Sequence, residues 1–145
     1  MAPRWREDAR TIVGLTRFAN RNHIARAALE ATAYQTREVA EAMRKQADVQ
    51  LKTVKVDGGM TENKLLMQFQ ADMLNCPVAR GELRENASLG TAYAAGLAVD
   101  FWSSTDEIRA NWIPSDMWTP HMDQKTREEL FHNWNKAVER SLNWA

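Results

Sequence analysis

Hydrophobic residues recur at two different periods along the chain, and the alternation of these periods predicts an α/β fold. Short apolar runs at Thr11 to Leu15, Leu51 to Val56 and Pro77 to Arg80 are typical of buried strands. The longer segments that follow each run carry apolar residues at three- and four-residue spacings, which is typical of helices. The resulting order, β-α-β-α-β-α, favours a parallel sheet with helices on its faces.

Each predicted helix of this unit begins near a side chain that can cap it. Asparagine, threonine and serine provide an oxygen that accepts hydrogen bonds from the unpaired N–H groups of a first helical turn. The predicted bounds are Asn20 or Asn22 to about Ala47, Thr61 to Asn75, and Ser88 to about Trp102.

The character of the chain changes after residue 102. Five of the six tryptophans lie beyond residue 100, and Pro114 and Pro120 bracket a stretch that is predicted to be irregular. A short helix is predicted near residues 106–110 and a longer one near residues 123–143. We therefore predict an α/β region over residues 1–102 and a helical extension, residues 103–145, packed on it. Helical spacing indicates that three tryptophans are packing residues: Trp102, Trp134 and Trp144.

Composition narrows the possible classes of protein. The chain has 145 residues, of which 44% are hydrophobic, so one domain with a real core is expected. Nineteen basic residues balance nineteen acidic ones, which argues against a nucleic-acid partner. No run approaches the roughly 20 apolar residues of a membrane span, and the N-terminus lacks an apolar signal region, so we expect a cytoplasmic protein. Cys76 has no other cysteine to pair with and is interpreted as a buried apolar residue.

The strand-to-helix turn from Val56 to Asn63 carries the strongest candidate chemistry. Gly58 and Gly59 allow a tight turn and let a flat ligand approach the main chain. The next helix offers free N–H groups, and the amide of Asn63 can donate and accept hydrogen bonds. A Gly-Gly turn also occurs in ordinary loops, so these residues alone leave both interpretations open.

The segment from Val56 to Leu74 resembles the C-terminal signature of the FGGY carbohydrate kinases. Residues 14–17, 33–37, 67–70 and 89–99 add to the resemblance and favour the branch of this family that phosphorylates glycerol. The resemblance spans nearly the whole chain. It departs from the family pattern at Asp100, where the family commonly has glycine. It implies an α/β fold that is part of an actin-like, ribonuclease-H-like ATPase domain: the C-terminal portion of the second, nucleotide-side domain, followed by a helical extension.

The resemblance also implies a site. Gly59 and Asn63, with Gly58 a weaker candidate, match family positions that contact the adenosine of ATP. ATP is expected as co-substrate, and Mg²⁺ is expected without ligands in this chain. The phosphate loop, the base and the glycerol site are expected upstream, so we predict no catalytic residue here, an inactive isolated chain, and a homo-oligomer for the full-length enzyme. Replacing Asn63 by Ala is expected to weaken nucleotide binding and leave stability almost unchanged.

Other polar side chains are interpreted as structural. Asp57 is expected to fix the glycine turn, and Asp72 to lie on a solvated helix face. The three histidines show no paired metal-ligand spacing and are expected to be caps or surface residues: His23, His121 and His132.

Two alternatives to a piece of a glycerol-phosphorylating kinase stay open. The chain could be a non-catalytic module that binds nucleotide or completes a partner's sheet, or a fragment of a sibling kinase for another polyol or a pentulose. The family's strand order is 3-2-1-4-5. If Thr11 to Leu15 is its third strand, the first two are absent and the Leu51 to Val56 strand has an open apolar edge, so we predict that the isolated chain folds poorly or associates.

Overall fold

In the computed structural model, which describes residues 11–47, 50–82 and 86–142, helices and strands alternate along most of the chain. A short 3₁₀ turn, Gly59–Glu62, lies between the first strand and the second helix. The elements in chain order are α1 (Arg21–Ala47), β1 (Val54–Val56), α2 (Lys64–Leu74), β2 (Val78–Gly81), α3 (Asn86–Ala98), α4 (Thr105–Ala110), β3 (Pro114–Trp118) and α5 (Gln124–Ser141).

The three strands form one sheet with β2 in its centre. β1 pairs with β2 in parallel, and Val56 lies beside Arg80. β2 pairs with β3 in the antiparallel direction, and Arg80 lies beside Asp116. Arg80 is therefore flanked by the last residue of β1 on one side and by the middle of β3 on the other.

The first predicted strand is wrong. Residues 11–15 have no strand structure, and Ile12 and Val13 are 63% and 53% exposed. A strand requires a neighbour that pairs its N–H and C=O groups, and no described part of the chain lies alongside this segment as a strand. The outer edge of β1 is consequently unpaired among the described residues, in keeping with the open edge expected from the sequence.

The stretch from Pro114 to Trp118, predicted to be irregular, is a strand instead. Proline is tolerated at the first position of a strand because its missing N–H need not join the ladder. Since β3 is antiparallel, the sheet is mixed rather than purely parallel. β3 lies beyond residue 102, so the sheet continues into the extension; the division of the chain at that residue stays a prediction.

Side-chain caps define where the helices begin. Asn20 precedes α1, and its Oδ1 accepts from the backbone N–H groups of Asn22 and His23. Asn63, and not the predicted Thr61, caps α2, because Thr61 lies within the 3₁₀ turn. α3 ends earlier than expected, at Ala98, followed by the left-handed residue Asp100.

The core lies where α1, α2 and α5 meet over one face of the sheet. Tyr34 of α1 stacks on Trp134 of α5, with ring centroids 5.1 Å apart. Tyr34 also makes an edge-to-face contact with Phe69 of α2, with ring centroids 5.4 Å apart. Leu66 and Val78 belong to the same hydrophobic cluster and are almost completely buried. Trp134 is thus a packing residue, as predicted, and so is Trp102, which lies against α3; Trp144 lies outside the described residues.

Two further predictions about polar or reactive side chains have different outcomes. Cys76 is buried and free, as expected, and burial raises the pKa of its thiol. The prediction for Asp72 is wrong: this side chain is only 7% exposed. Its Oδ1 accepts from the backbone N–H groups of His121 at 2.7 Å and Met122 at 3.2 Å, because the chain between β3 and α5 folds over α2.

Candidate nucleotide-binding turn

The glycine turn joins the carboxyl end of β1 to the start of α2. Gly58 has φ 87° and ψ 170°, a backbone conformation that a residue with a Cβ rarely adopts. A Cβ built on Gly58 or on Gly59 would have no atom within 4 Å, so the space outside both residues is open. A flat ligand can therefore lie directly against this backbone.

Hydrogen bonds from Thr61 hold the turn from its inner side. The Thr61 backbone N–H and its hydroxyl both donate to the Gly58 carbonyl, at 3.1 and 2.7 Å. Thr61 is 5% exposed, whereas both glycines are exposed. The structure thus gives Thr61 the fixing role that the sequence suggested for Asp57, whose side chain is exposed and makes no hydrogen bond with the described residues. The turn presents glycine outward and anchors threonine inward.

Asn63 has one half of its amide engaged and the other half free. Its Oδ1 accepts from the Leu66 N–H at 3.1 Å and so caps α2. No described residue accepts a hydrogen bond from its Nδ2, which leaves two donors at the edge of the turn. The same side chain therefore orders the helix and presents donors to a ligand, next to the positive end of the helix dipole.

Arg80 contacts the turn, although the sequence analysis did not single it out. Its Nη1 donates to the Thr61 carbonyl at 3.2 Å. The residues are 19 positions apart in the sequence, and the only sequence signal is a cation at the end of an apolar run. The register of β1 against β2 sets Arg80 beside Val56, and this pairing brings Arg80 to the turn.

The site is an open wall rather than an enclosed pocket. The structure has a cavity of about 190 Å³ beside α1 and the start of α5, and another of about 400 Å³ between β2, α3 and α4. Neither is lined by Gly58, Gly59 or Asn63. A ligand on this turn would need a second wall from elsewhere to be enclosed.

Metal-binding groups do not cluster in residues 11–47, 50–82 and 86–142: no three histidine, cysteine or acidic side chains there could hold one ion. His23 acts at the start of α1, where its Nδ1 accepts from the Asn20 N–H. His121 is exposed and pairs with the Thr119 hydroxyl. In the same ranges, no helix combines the length and apolar character needed to cross a membrane.

Comparison with known proteins defines the class to which this fold and turn belong. Residues 1–99 match the model of the FGGY family of carbohydrate kinases, C-terminal domain. The chain therefore belongs to the FGGY family of carbohydrate kinases, and the resemblance seen in the sequence is confirmed.

Several named kinases of this family are similar to the chain in sequence or in structure. Glycerol kinases of Azorhizobium caulinodans and Chloroflexus aurantiacus are 62% and 61% identical to the chain, over 99% of its length. The crystal structure of Plasmodium falciparum glycerol kinase with ADP is similar at a TM-score of 0.86 and 39% identity, over 99% of the chain and 29% of that protein. A ligand-bound xylulose kinase from Lactobacillus acidophilus, at a TM-score of 0.83 and 22% identity over 99% of the chain and 29% of that protein, shares the fold.

The chain spans 29% of the length of the Azorhizobium and Chloroflexus relatives. The predicted fold class, part of an actin-like, ribonuclease-H-like ATPase domain, is confirmed by these neighbours. Both the turn and the extension fall inside the matched region of the Plasmodium enzyme, since the match covers nearly the whole chain.

Proposed function

We propose that this chain supplies the adenosine side of the ATP site in an ATP:glycerol 3-phosphotransferase. The observation that carries the proposal is the Gly58–Asn63 turn, where exposed glycine backbone lies beside two free amide donors at the start of a helix. The adenosine contacts are assigned to Gly59 and Asn63, with Gly58 in support. Relatives at 62% and 61% identity that are named glycerol kinase favour glycerol over a pentulose as acceptor.

The turn contributes position rather than chemistry to phosphoryl transfer. In this reaction a glycerol hydroxyl attacks the γ-phosphorus of ATP, and ADP leaves with the bridging oxygen. Catalysis rests on aligning these atoms and neutralising charge on the phosphates. Holding adenosine against a rigid turn lowers the entropic cost of that alignment. Mg²⁺, the base and the glycerol site are assigned to residues outside this chain, so the isolated chain is expected to bind nucleotide without turnover.

Three broader expectations belong to the same proposal. The full-length enzyme is proposed to act in the cytoplasm and to assemble as a homo-oligomer, as the family resemblance implies. Glycerol is proposed to bind through residues that precede Met1 in the full-length enzyme. The coding sequence upstream of Met1 tests this point, since it should encode a phosphate loop and a polyol site; a stop-bounded frame without either would favour a non-catalytic module.

Asn63 variants test the nucleotide contact in the 145-residue chain. Asn63→Ser keeps an N-cap oxygen and removes the amide donors, so ADP should bind about tenfold more weakly while α2 stays capped. Asn63→Ala removes both functions and should also cost about 1 kcal/mol of unfolding free energy. This corrects the expectation from sequence that Asn63→Ala leaves stability almost unchanged, because the structure places the side chain at the helix cap.

Isothermal titration calorimetry with ADP and urea denaturation measure the two effects separately. Ser104→Ala is the matched control, because Ser104 caps α4 through the Glu107 N–H and does not contact the turn. It should lose stability with no change in ADP affinity. An Asn63→Ser chain that binds ADP as tightly as the unaltered chain would refute the assignment. A glycerol-dependent release of ADP by the unaltered chain alone would refute the division of labour with upstream residues.

A further inference from the structure

Arg80 lies in the central strand of the sheet and contacts the glycine turn through its side chain. Its backbone lies in β2, between Val56 of β1 and Asp116 of β3. Its side chain is 24% exposed and extends toward the turn that follows Val56. Arg80 is thus level with the point at which β1 ends and the nucleotide-binding turn begins.

The two terminal nitrogens of Arg80 have separate partners. Nη1 donates to the Thr61 carbonyl at 3.2 Å, and Nη2 forms a short ion pair with Asp116 Oδ2. The guanidinium also lies over the Trp118 ring, 5.9 Å from its centroid. A planar fork with fixed donor directions can satisfy both acceptors together, whereas a lysine ammonium would hold one of them well.

The contacts continue from Arg80 to the exposed backbone of the turn. Arg80 holds the carbonyl of Thr61, while the hydroxyl and N–H of Thr61 hold the carbonyl of Gly58. Gly58 and Gly59 have no side chains to fix their own conformation, so their position depends on these bonds.

We propose that Arg80 is a positioning residue for nucleotide binding, and that Asp116 of the C-terminal extension keeps its guanidinium directed at the turn. The inference rests on the proposed function of the turn and adds a role for β3 in it. The extension then does more than cover the core: through Asp116 and Arg80 it sets the geometry against which adenosine binds. Arg80 itself contacts protein atoms and acts on the nucleotide through Thr61 and Gly58.

Three variants of the 145-residue chain test this role. Arg80→Lys preserves the charge opposite Asp116 but removes the second arm of the fork, and Arg80→Met removes both contacts. Asp116→Asn removes the charge that orients the fork. ADP binding should weaken by about tenfold in both Arg80 variants and by less in Asp116→Asn. Arg26→Met is the matched control, because it breaks one exposed ion pair, with Glu30, on α1.

Amide hydrogen exchange without ligand provides a second readout. The N–H groups of Thr61 and Asn63, which are bonded within the turn, should exchange about tenfold faster in Arg80→Lys, while those in the middle of α1 keep their rates. The double variant Arg80→Met/Asp116→Asn should be no weaker in ADP binding than Arg80→Met, because Asp116 acts through Arg80.

The two readouts distinguish failure of the positioning role of Arg80 from failure of the proposed nucleotide binding. If the unaltered chain binds no ADP, the proposed function fails, and exchange at Thr61 and Asn63 still decides whether Arg80 orders the turn. Unchanged exchange and unchanged ADP affinity in Arg80→Lys would overturn the positioning role. So would faster exchange spread evenly over β2, α2 and the turn, because that pattern belongs to a residue that stabilises the whole fold.

Discussion

The indole of Trp102 lies against the Cα of Gly96, so closely that a Cβ on Gly96 would be 2.2 Å from Trp102 Cζ3. The ring is held there by Tyr93 and Phe101, whose centroids are 5.0 and 4.8 Å from it. Gly96 also accepts from the Phe101 N–H at 2.8 Å where α3 ends, with Asp100 in the left-handed conformation. This hydrogen bond and the left-handed residue together end α3 and bring Trp102 back against it.

Replacing Gly96 by alanine should therefore destabilise the chain by about 1–3 kcal/mol, because the indole has to leave its place between two aromatic rings. Gly90→Ala in the same helix is the control, since a Cβ at Gly90 would meet nothing within 4 Å. That variant should gain about 0.5–1 kcal/mol from lower chain entropy in the unfolded state. Urea denaturation measures both, and equal effects at the two glycines would contradict the close contact.

Asp72 gives a second prediction, about how the extension is attached. Asp72→Ala should cost about 1–3 kcal/mol, because it leaves the N–H groups of His121 and Met122 without their acceptor. Asp72→Asn keeps an oxygen in the same place and should cost clearly less. Exchange of the His121 amide should accelerate in Asp72→Ala and stay near its original rate in Asp72→Asn. If both variants behave alike, the backbone contact is not what holds this segment.

The Glu38 carboxyl is expected to make the free energy of unfolding depend on pH. Burial raises its pKa, a hydrogen bond donated by Trp134 lowers it, and Glu41 raises it, with a net shift upward. A carboxyl with a raised pKa stabilises the fold at a pH below its ordinary value and loses that contribution as pH rises through the raised pKa. Glu38→Gln should accordingly match the unaltered chain below about pH 4 and become the more stable of the two as pH rises toward neutrality.

Glu107 provides a control, because its pKa is shifted in the opposite direction from that of Glu38. A hydrogen bond from the Ser103 N–H, and a second from the Ser103 hydroxyl, lower the pKa of this exposed carboxylate. Its contribution is present at neutral pH and is lost as pH falls through the lowered pKa. Glu107→Gln should be less stable than the unaltered chain near pH 7 and approach it in acid. Thermal melting from pH 3 to 7 measures both variants, and differences of the same sign would contradict the assignment.

Local features of the chain were predictable because their causes are local. Gly58 and Gly59 predict a turn because they lack a Cβ, and Asn20, one of the two predicted caps of α1, does lie at its start. The prediction that Thr61 caps α2 is wrong, since a hydroxyl and an amide two residues apart suit that role equally well in sequence. The 3₁₀ turn, which only the folded chain displays, decides between them.

The sequence by itself determined the family, the α/β alternation and the turn that carries the proposed adenosine contacts. The tertiary structure decided that residues 11–15 are not a strand, that residues 114–118 are one, and that Asp72 is buried. It also brought Arg80 to Asp116, 36 positions away, and to Thr61, 19 positions away. The physical reason is that strand pairing and burial depend on which distant segments meet, whereas turns and caps depend on a few neighbouring residues.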